Sequence, residues 1–212
     1  VLAGLSALPE LTRGIREIDV SDSSTWTDVD RWFRRWAQHP ALRAELRSYL
    51  RKLPADRAAA MIARSRETTT HFAWCLQDEP GDPFSLWLHE YKPWHDWRPG
   101  YADSVHNHRY HFCTTILYGS YVHERFAVEL DAGGQRVNSA TRTHSSTWHA
   151  GATGSLLSHE FHRIPVVSNG TMTFLVKSRP VTSWSLSFDP ETRTSRRHVP
   201  VEARLGELID RL

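Results

Sequence analysis

Gly100-Tyr101-Ala102-Asp103-Ser104-Val105-His106-Asn107-His108-Arg109-Tyr110-His111-Phe112-Cys113, running on to Gly119, sets three histidines within six residues. On a strand, alternate side chains share a face, so His106 and His108 point the same way and are spaced to chelate one ion through neutral imidazoles. His111 has the opposite parity. A polar strand face in a chain with 13 histidines would also carry such a pair, so a third ligand from elsewhere has to decide.

Ser158-His159-Glu160-Phe161-His162-Arg163-Ile164, close to a strand end, offers that ligand. His159 and His162 cannot both share one strand face, so one is expected as a ligand and the other as a support to the ligands or as pocket lining. Three neutral nitrogen ligands on a redox-capable first-row ion leave positions for substrate and dioxygen. On zinc they leave a position for activated water. Spacing alone does not choose between the two.

Working outward, the pattern before the histidines changes once. From Thr27 to about Ser65 it is helical. Asp28 to Trp36 repeats apolar residues at three- and four-residue steps, with Thr27 or Asp28 as cap. A second helix follows Pro40 with Leu42, Leu46, Tyr49, Leu50 and Leu53, and a third runs from Pro54 to Ile62. After Glu67 the chain reads as short strands: 68–76, 84–91, 110–118, 120–130, 141–148, 153–158, 171–177 and 182–188, with Gly, Pro, Asn or Asp between them. Many short strands without intervening helices predict an antiparallel sandwich or barrel. A closing helix is expected over 201–212, with Leu205, Leu208, Ile209 and Leu212 on one side. The predicted division is therefore 1–66 helical, 67–200 β-barrel and 201–212 helix.

The 212 residues carry 26 Lys and Arg against 24 Asp and Glu, a net charge of +2, which gives no reason to expect a nucleic-acid surface. No run approaches the length of a membrane span, and no basic region followed by an apolar stretch opens the sequence. Cys75 and Cys113 define no disulfide framework, and both sit in apolar, strand-like surroundings; free thiols and a cytoplasmic location are expected. Nine tryptophans supply large flat surfaces for a core or an enclosed pocket, with Trp94, Trp97, Trp148 and Trp184 as candidate lining.

The spacing Gly100, five residues, His106-X-His108, three residues, Phe112, six residues, Gly119 resembles the first motif of the cupin superfamily. Gly154 to His162, with Asn169 further on, looks like the second. The family usually has glutamate where this chain has Phe112. The pattern is most similar to the cysteine dioxygenase-type thiol dioxygenases, which bind Fe(II) through three histidines and lack that glutamate. The resemblance runs from about Phe84 to Asp189. It implies a double-stranded β-helix, or jelly-roll barrel, and His106, His108 and His162 as metal ligands. Two departures concern the substrate pocket. Cys113 stands where the family often has a cysteine cross-linked to tyrosine, but Lys177 aligns with that tyrosine and Leu175 with its supporting histidine.

The resemblance implies an Fe(II)-dependent oxygenase that oxidises a small chelating substrate (thiol, catechol or enol-like) with dioxygen, in a role such as specialised metabolism. His159, Tyr110 and Arg163 are the candidate catalytic groups. Tyr118 and His111 are further donors towards bound oxygen, and Arg109, Arg163, Arg179 and Lys177 are cations able to pair with a substrate carboxylate. Other readings are a hydrolase, lyase or isomerase with zinc, nickel or manganese on the same histidines, and a non-enzymatic binding cupin. The expected partners are a small molecule and dioxygen, with neither nucleic acid nor membrane, in a monomer or homodimer.

Overall fold

The computed structural model describes residues 7–18, 23–100 and 103–212, so Tyr101 and Ala102 of the opening stretch lie outside the described residues. Four helices come first: α1 (Ala7–Arg16), α2 (Trp26–Ala37), α3 (Leu42–Arg51) and α4 (Ala55–Arg64). Twelve strands follow: β1 (Arg66–Glu67), β2 (His71–Gln77), β3 (Phe84–Tyr91), β4 (Val105–His106), β5 (Phe112–Tyr118), β6 (Ser120–Leu130), β7 (Val137–His149), β8 (Thr153–Leu156), β9 (Phe161–Val167), β10 (Met172–Ser178), β11 (Ser185–Asp189) and β12 (Thr194–His198). A 3-10 turn (Val201–Arg204) leads into α5 (Leu205–Arg211).

The strands form two six-stranded antiparallel sheets, in the orders β1-β2-β3-β10-β5-β8 and β12-β11-β4-β9-β6-β7. They make a jelly-roll barrel, with helices before it and a short helix after it. Period-2 alternation explains how the first sheet serves two cores. On β10, Phe174 and Val176 face the helices, whereas Thr173, Leu175 and Lys177 line the barrel interior. The helices bury Leu11, Ile15, Val29, Phe33 and Trp36 against that outer face, with Phe33 stacked on Phe174 at 6.3 Å between ring centres. Two N–H···O bonds from Arg16 to Asp82, at 2.8 and 3.0 Å, tie α1 to the turn before β3. The second sheet curls: Val137 of β7 donates to Ser195 Oγ of β12 at 2.9 Å, enclosing a separate cluster of Val105, Phe161, Leu186 and Phe188.

Several elements depart from the sequence reading. Helix α1 was not expected, because Pro9 and Gly14 interrupt its pattern; Gly14 instead lets the Trp32 indole lie against the helix backbone. β9 and β12 were also missed. β9 contains Pro165, which falls where the pairing with β6 shifts register, a position that tolerates a missing N–H. Helix α5 closes nothing: none of its residues is buried, and Leu205, Leu208, Ile209 and Leu212 face solvent. Among the described residues no helix is long and apolar enough to cross a membrane.

Candidate metal centre

Residue pairing brings the three predicted ligands together. His106 of β4 is the cross-strand partner of His162 on β9, with ring centres 4.6 Å apart. The chain leaves β4 after His106, so strand parity does not place His108. Asn107 does: its N–H donates to Leu186 O at 3.2 Å and its Oδ1 accepts from Leu186 N–H at 2.7 Å, so the side chain completes a ladder step with β11. The His108 ring then stands edge-on to His106 at 4.9 Å. One ligand nitrogen from each of His106, His108 and His162 lies within 4.8 Å of the other two, and His108 Nε2 is 2.9 Å from His162 Nε2. Two nitrogens at about 2.1 Å from one ion and at right angles would sit about 3 Å apart, so this separation fits two ligands of one first-row metal.

Protonation also fits. Ser104 O can only accept, so the 2.9 Å contact with His106 Nδ1 places the hydrogen there and makes Nε2 the nitrogen that carries the ligating lone pair. Burial lowers the His106 pKa to about 4, against the contrary pull of the Ser104 carbonyl. Burial holds His108 and His162 well below 6.5 as well, with neighbouring histidines adding to the effect. All three are neutral at pH 7, the state that binds metal.

One supporting residue was not anticipated. His123 on β6 sets Nε2 3.1 Å from His162 Nδ1 and packs against Trp148 at 4.9 Å. With an ion on His162 Nε2, the hydrogen of that ring is on Nδ1 and is donated to His123, which fixes the ring's orientation. The signal in the sequence was present: Tyr121 and His123 share strand parity and both line the cavity.

The three histidines open into a barrel cavity of about 400 Å3. On their side it is lined by Tyr121, His123, Trp148 and Ile164, and opposite by His71, His89, Tyr91, Leu175 and Lys177. Phe112 stands edge-on to His108 at 5.0 Å. Gly154 is required here, because a Cβ would lie 2.2 Å from the Trp148 ring. Of the four candidate tryptophans, only Trp148 lines this cavity.

The three candidate catalytic residues separate. Tyr110 lines the cavity and stacks on His108 at 5.2 Å, and burial raises its phenol pKa, so it stays protonated at neutral pH. His159 is in the exposed turn before β9 and does not line the cavity. Arg163 has the parity opposite to His162 and bonds Glu124 at 2.7 and 3.0 Å, away from the cavity lining. Of the cations, Arg179 is bound to Asp78, the Glu79 carbonyl and the Asp82 carbonyl, and Arg109 is outside the lining. Lys177 alone of the four reaches the interior. His111 is turned towards α2, with Nδ1 accepting from Ser158 N–H at 2.9 Å and its ring 5.6 Å from Trp26. Tyr118 is on the exterior. Cys75 and Cys113 are free and buried; Cys113 packs among the helix-facing residues, on the sheet face opposite Lys177.

No protein-family model and no curated protein matches the sequence. Solved structures are similar at low identity. The DMSP lyase DddQ from Ruegeria pomeroyi is 14% identical, with a TM-score of 0.43, over 73% of this chain and 70% of that one. Oxalate decarboxylase from Lactobacillus farciminis is 16% identical, with a TM-score of 0.38, over 66% and 34%. The Bacillus subtilis oxalate decarboxylase at pH 4.6 is 15% identical, with a TM-score of 0.38, over 68% and 34%. This chain thus spans about a third of the length of the oxalate decarboxylases it matches. At these scores the likeness carries no activity over to this chain.

Proposed function

We propose that the protein is a metal-dependent enzyme in which His106, His108 and His162 hold Fe(II), and that it oxidises a small chelating substrate (a thiol, catechol or enol-like compound) with dioxygen. The observation that carries this reading is the ligand set: three neutral imidazoles whose nitrogens converge, with no carboxylate or thiolate joining them among the described residues. Such a set leaves half of an octahedral shell for exogenous ligands. Bound Fe(II) would supply the one-electron chemistry towards dioxygen that amino-acid side chains lack.

The chain's own groups do the remainder. His123 and Ser104 fix the orientation of two ligand rings through Nδ1. Tyr110, held against His108, presents a protonated phenol to whatever binds beside the histidines. Tyr91 and Tyr121 are likewise kept protonated by burial, so the aromatic walls add hydrogen-bond donors without adding charge. Phe112, Ile164, Leu156, Leu175 and Trp148 keep the cavity apolar and limit water at the site.

The test is the metal content of protein purified without added metal, alongside His106→Ala and His162→Ala, with oxygen uptake measured over a panel of thiols and catechols. Near one iron per chain, absent from both variants, together with substrate-dependent oxygen uptake, supports the proposal. Zinc, nickel or manganese at that stoichiometry with no oxygen uptake replaces it with a hydrolase, lyase or isomerase. No metal even after reconstitution removes the enzyme reading.

A further inference from the structure

The wall facing the three histidines holds a group that the proposed metal chemistry does not use. The chain has 23 arginines and only three lysines. Lys52 is exposed, and Lys92 is buried but bonded to Glu67 and to the Thr68 carbonyl at 2.6 Å. Lys177 is only 4% exposed and faces the cavity, and among the described residues no carboxylate lies within ion-pair distance of it. Its Nζ is 4.4 Å from the centre of the Trp87 ring, 5.2 Å from that of Tyr110 and 3.4 Å from His89 Nε2.

We propose that Lys177 is an amine nucleophile that forms an imine with a small carbonyl compound, an aldehyde or a 2-oxo acid, bound in the cavity. Two arguments support a nucleophile over a simple anion clamp. A chain that uses arginine for 23 of its 26 cations would be expected to place that residue's planar fork where a carboxylate has to be held; lysine differs in being able to lose its proton. The surroundings also favour the free amine. Burial first, and Arg66 second, lower the Lys177 pKa to about 7, the pattern of a lysine activated by desolvation and a neighbouring cation. The other titratable groups within its electrostatic reach are His71 and Cys75 on β2, His89 on β3, and His108 and Tyr110 on the segment before β5. His71 and His89 are held neutral by burial, and burial raises the Cys75 thiol to about 11, so none of the three supplies a counter-charge at pH 7.

The step balances without an oxidant. The amine nitrogen attacks the carbonyl carbon, forming one C–N bond, and a nitrogen proton passes to the carbonyl oxygen to give the carbinolamine. The C–O bond then breaks, and the oxygen leaves as water with both original amine hydrogens. His89 Nε2, 3.4 Å from the amine, is placed to relay the proton. Nothing in this step depends on which ion the three histidines hold.

The experiment is reductive trapping of the full-length protein with sodium cyanoborohydride at pH 7, using glyoxylate and, separately, butanal, followed by peptide mapping of all three lysines. Lys177 should be alkylated on the order of 10³-fold faster than Lys52, because an amine with a pKa near 7 is half free base while an ordinary one is about 0.1% or less. Lys177→Met and Lys177→Arg, confirmed as folded by circular dichroism, should lose the fast label and keep their metal. His106→Ala should lose metal and keep the label, so this inference and the metal proposal can fail separately. If Lys177 is labelled no faster than Lys52 by either probe, the inference is overturned. If it is unlabelled but Lys177→Met weakens glyoxylate binding, it is overturned in favour of a non-covalent anion site.

Discussion

The two walls of the cavity carry similar residues and do different things. On one wall His106, His108 and His162 turn their rings at 51–82° to one another, and their ligand nitrogens meet. On the other, His71 and His89 stack nearly parallel, 25° apart with ring centres at 4.2 Å, which sets face against face and leaves the nitrogens at the ring edges. Both walls desolvate their imidazoles and hold them neutral. What separates a ligand set from a packed pair is convergence of lone pairs, and only the first wall has it. Histidine count says nothing about this; cross-strand pairing and the Asn107 bridge to Leu186 decide it.

The largest expected effect tests that division directly. His108→Ala should abolish metal retention, while His89→Ala should keep close to one ion per chain. Removing a direct ligand should cost more than the 10–100-fold in affinity typical of losing a supporting group. Equal loss in both variants, measured by elemental analysis, would mean that the second wall also ligates.

A second prediction treats the walls together. Six histidines line the cavity and are hard to protonate: His71 at about 3, His106 and His123 at about 4, and His89, His108 and His162 well below 6.5. In each case desolvation is the largest cause. The unfolded chain takes up these protons near pH 6.5, whereas the native state does so only at lower pH. Stability of the metal-free protein should therefore be intact above pH 6.5 and fall as pH drops from there towards about 4. Each histidine weakens folding by up to ~1.4 kcal/mol per pH unit in that window, so even two of them cancel much of a domain's typical 5–15 kcal/mol within a few units. The urea midpoint followed against pH would show this. His71→Phe should flatten the slope by one proton and leave metal content unchanged; a pH-independent midpoint between 6.5 and 5 would contradict the burial of the cluster.

Smaller is the effect expected at His123, which touches one wall's ligand without being a ligand itself. His123→Ala should weaken metal binding by roughly 10–100-fold through loss of the bond to His162 Nδ1. Competition with a chelator would measure it. An unchanged affinity would reduce His123 to a packing partner of Trp148.

The sequence made the first wall partly legible and the second hardly at all. The His-X-His spacing and the later histidine are local patterns, and the structure brings all three together. Even so, the reason first given for His108 does not hold, because the strand ends at His106 and Asn107 supplies the placement. The strand that carries His162 went unread, since Pro165 breaks its pattern and only a bulge opposite β6 accommodates it. His71, His89 and Lys177 come from three strands separated by up to 106 residues, and no local spacing joins them. Their proximity arises from the order β2-β3-β10, which chain periodicity does not encode. Trp148 and Gly154 are in the same position: each explains the other only once β7 and β8 are seen to meet.

The smallest expected effect concerns a residue that adjacency in sequence had placed at the site. Arg163 follows His162 immediately, but one step along a strand changes the face. The guanidinium therefore pairs with Glu124, itself 4% exposed, on the far side of the second sheet. Burial alone would raise the Glu124 pKa; hydrogen bonds from Arg142 and Arg163 carry it below the usual carboxylate range instead. Arg163→Ala leaves that carboxylate one of its two partners, Arg142, at 2.7 Å. The loss should be about 1.5–3 kcal/mol of stability, the range for a hydrogen bond to a charged group, with metal content and kcat/KM unchanged. Thermal unfolding and metal analysis on the same preparation separate the possibilities. A fall of tenfold or more in kcat/KM with metal intact would return Arg163 to the catalytic side and break the inside-outside division that β9 imposes.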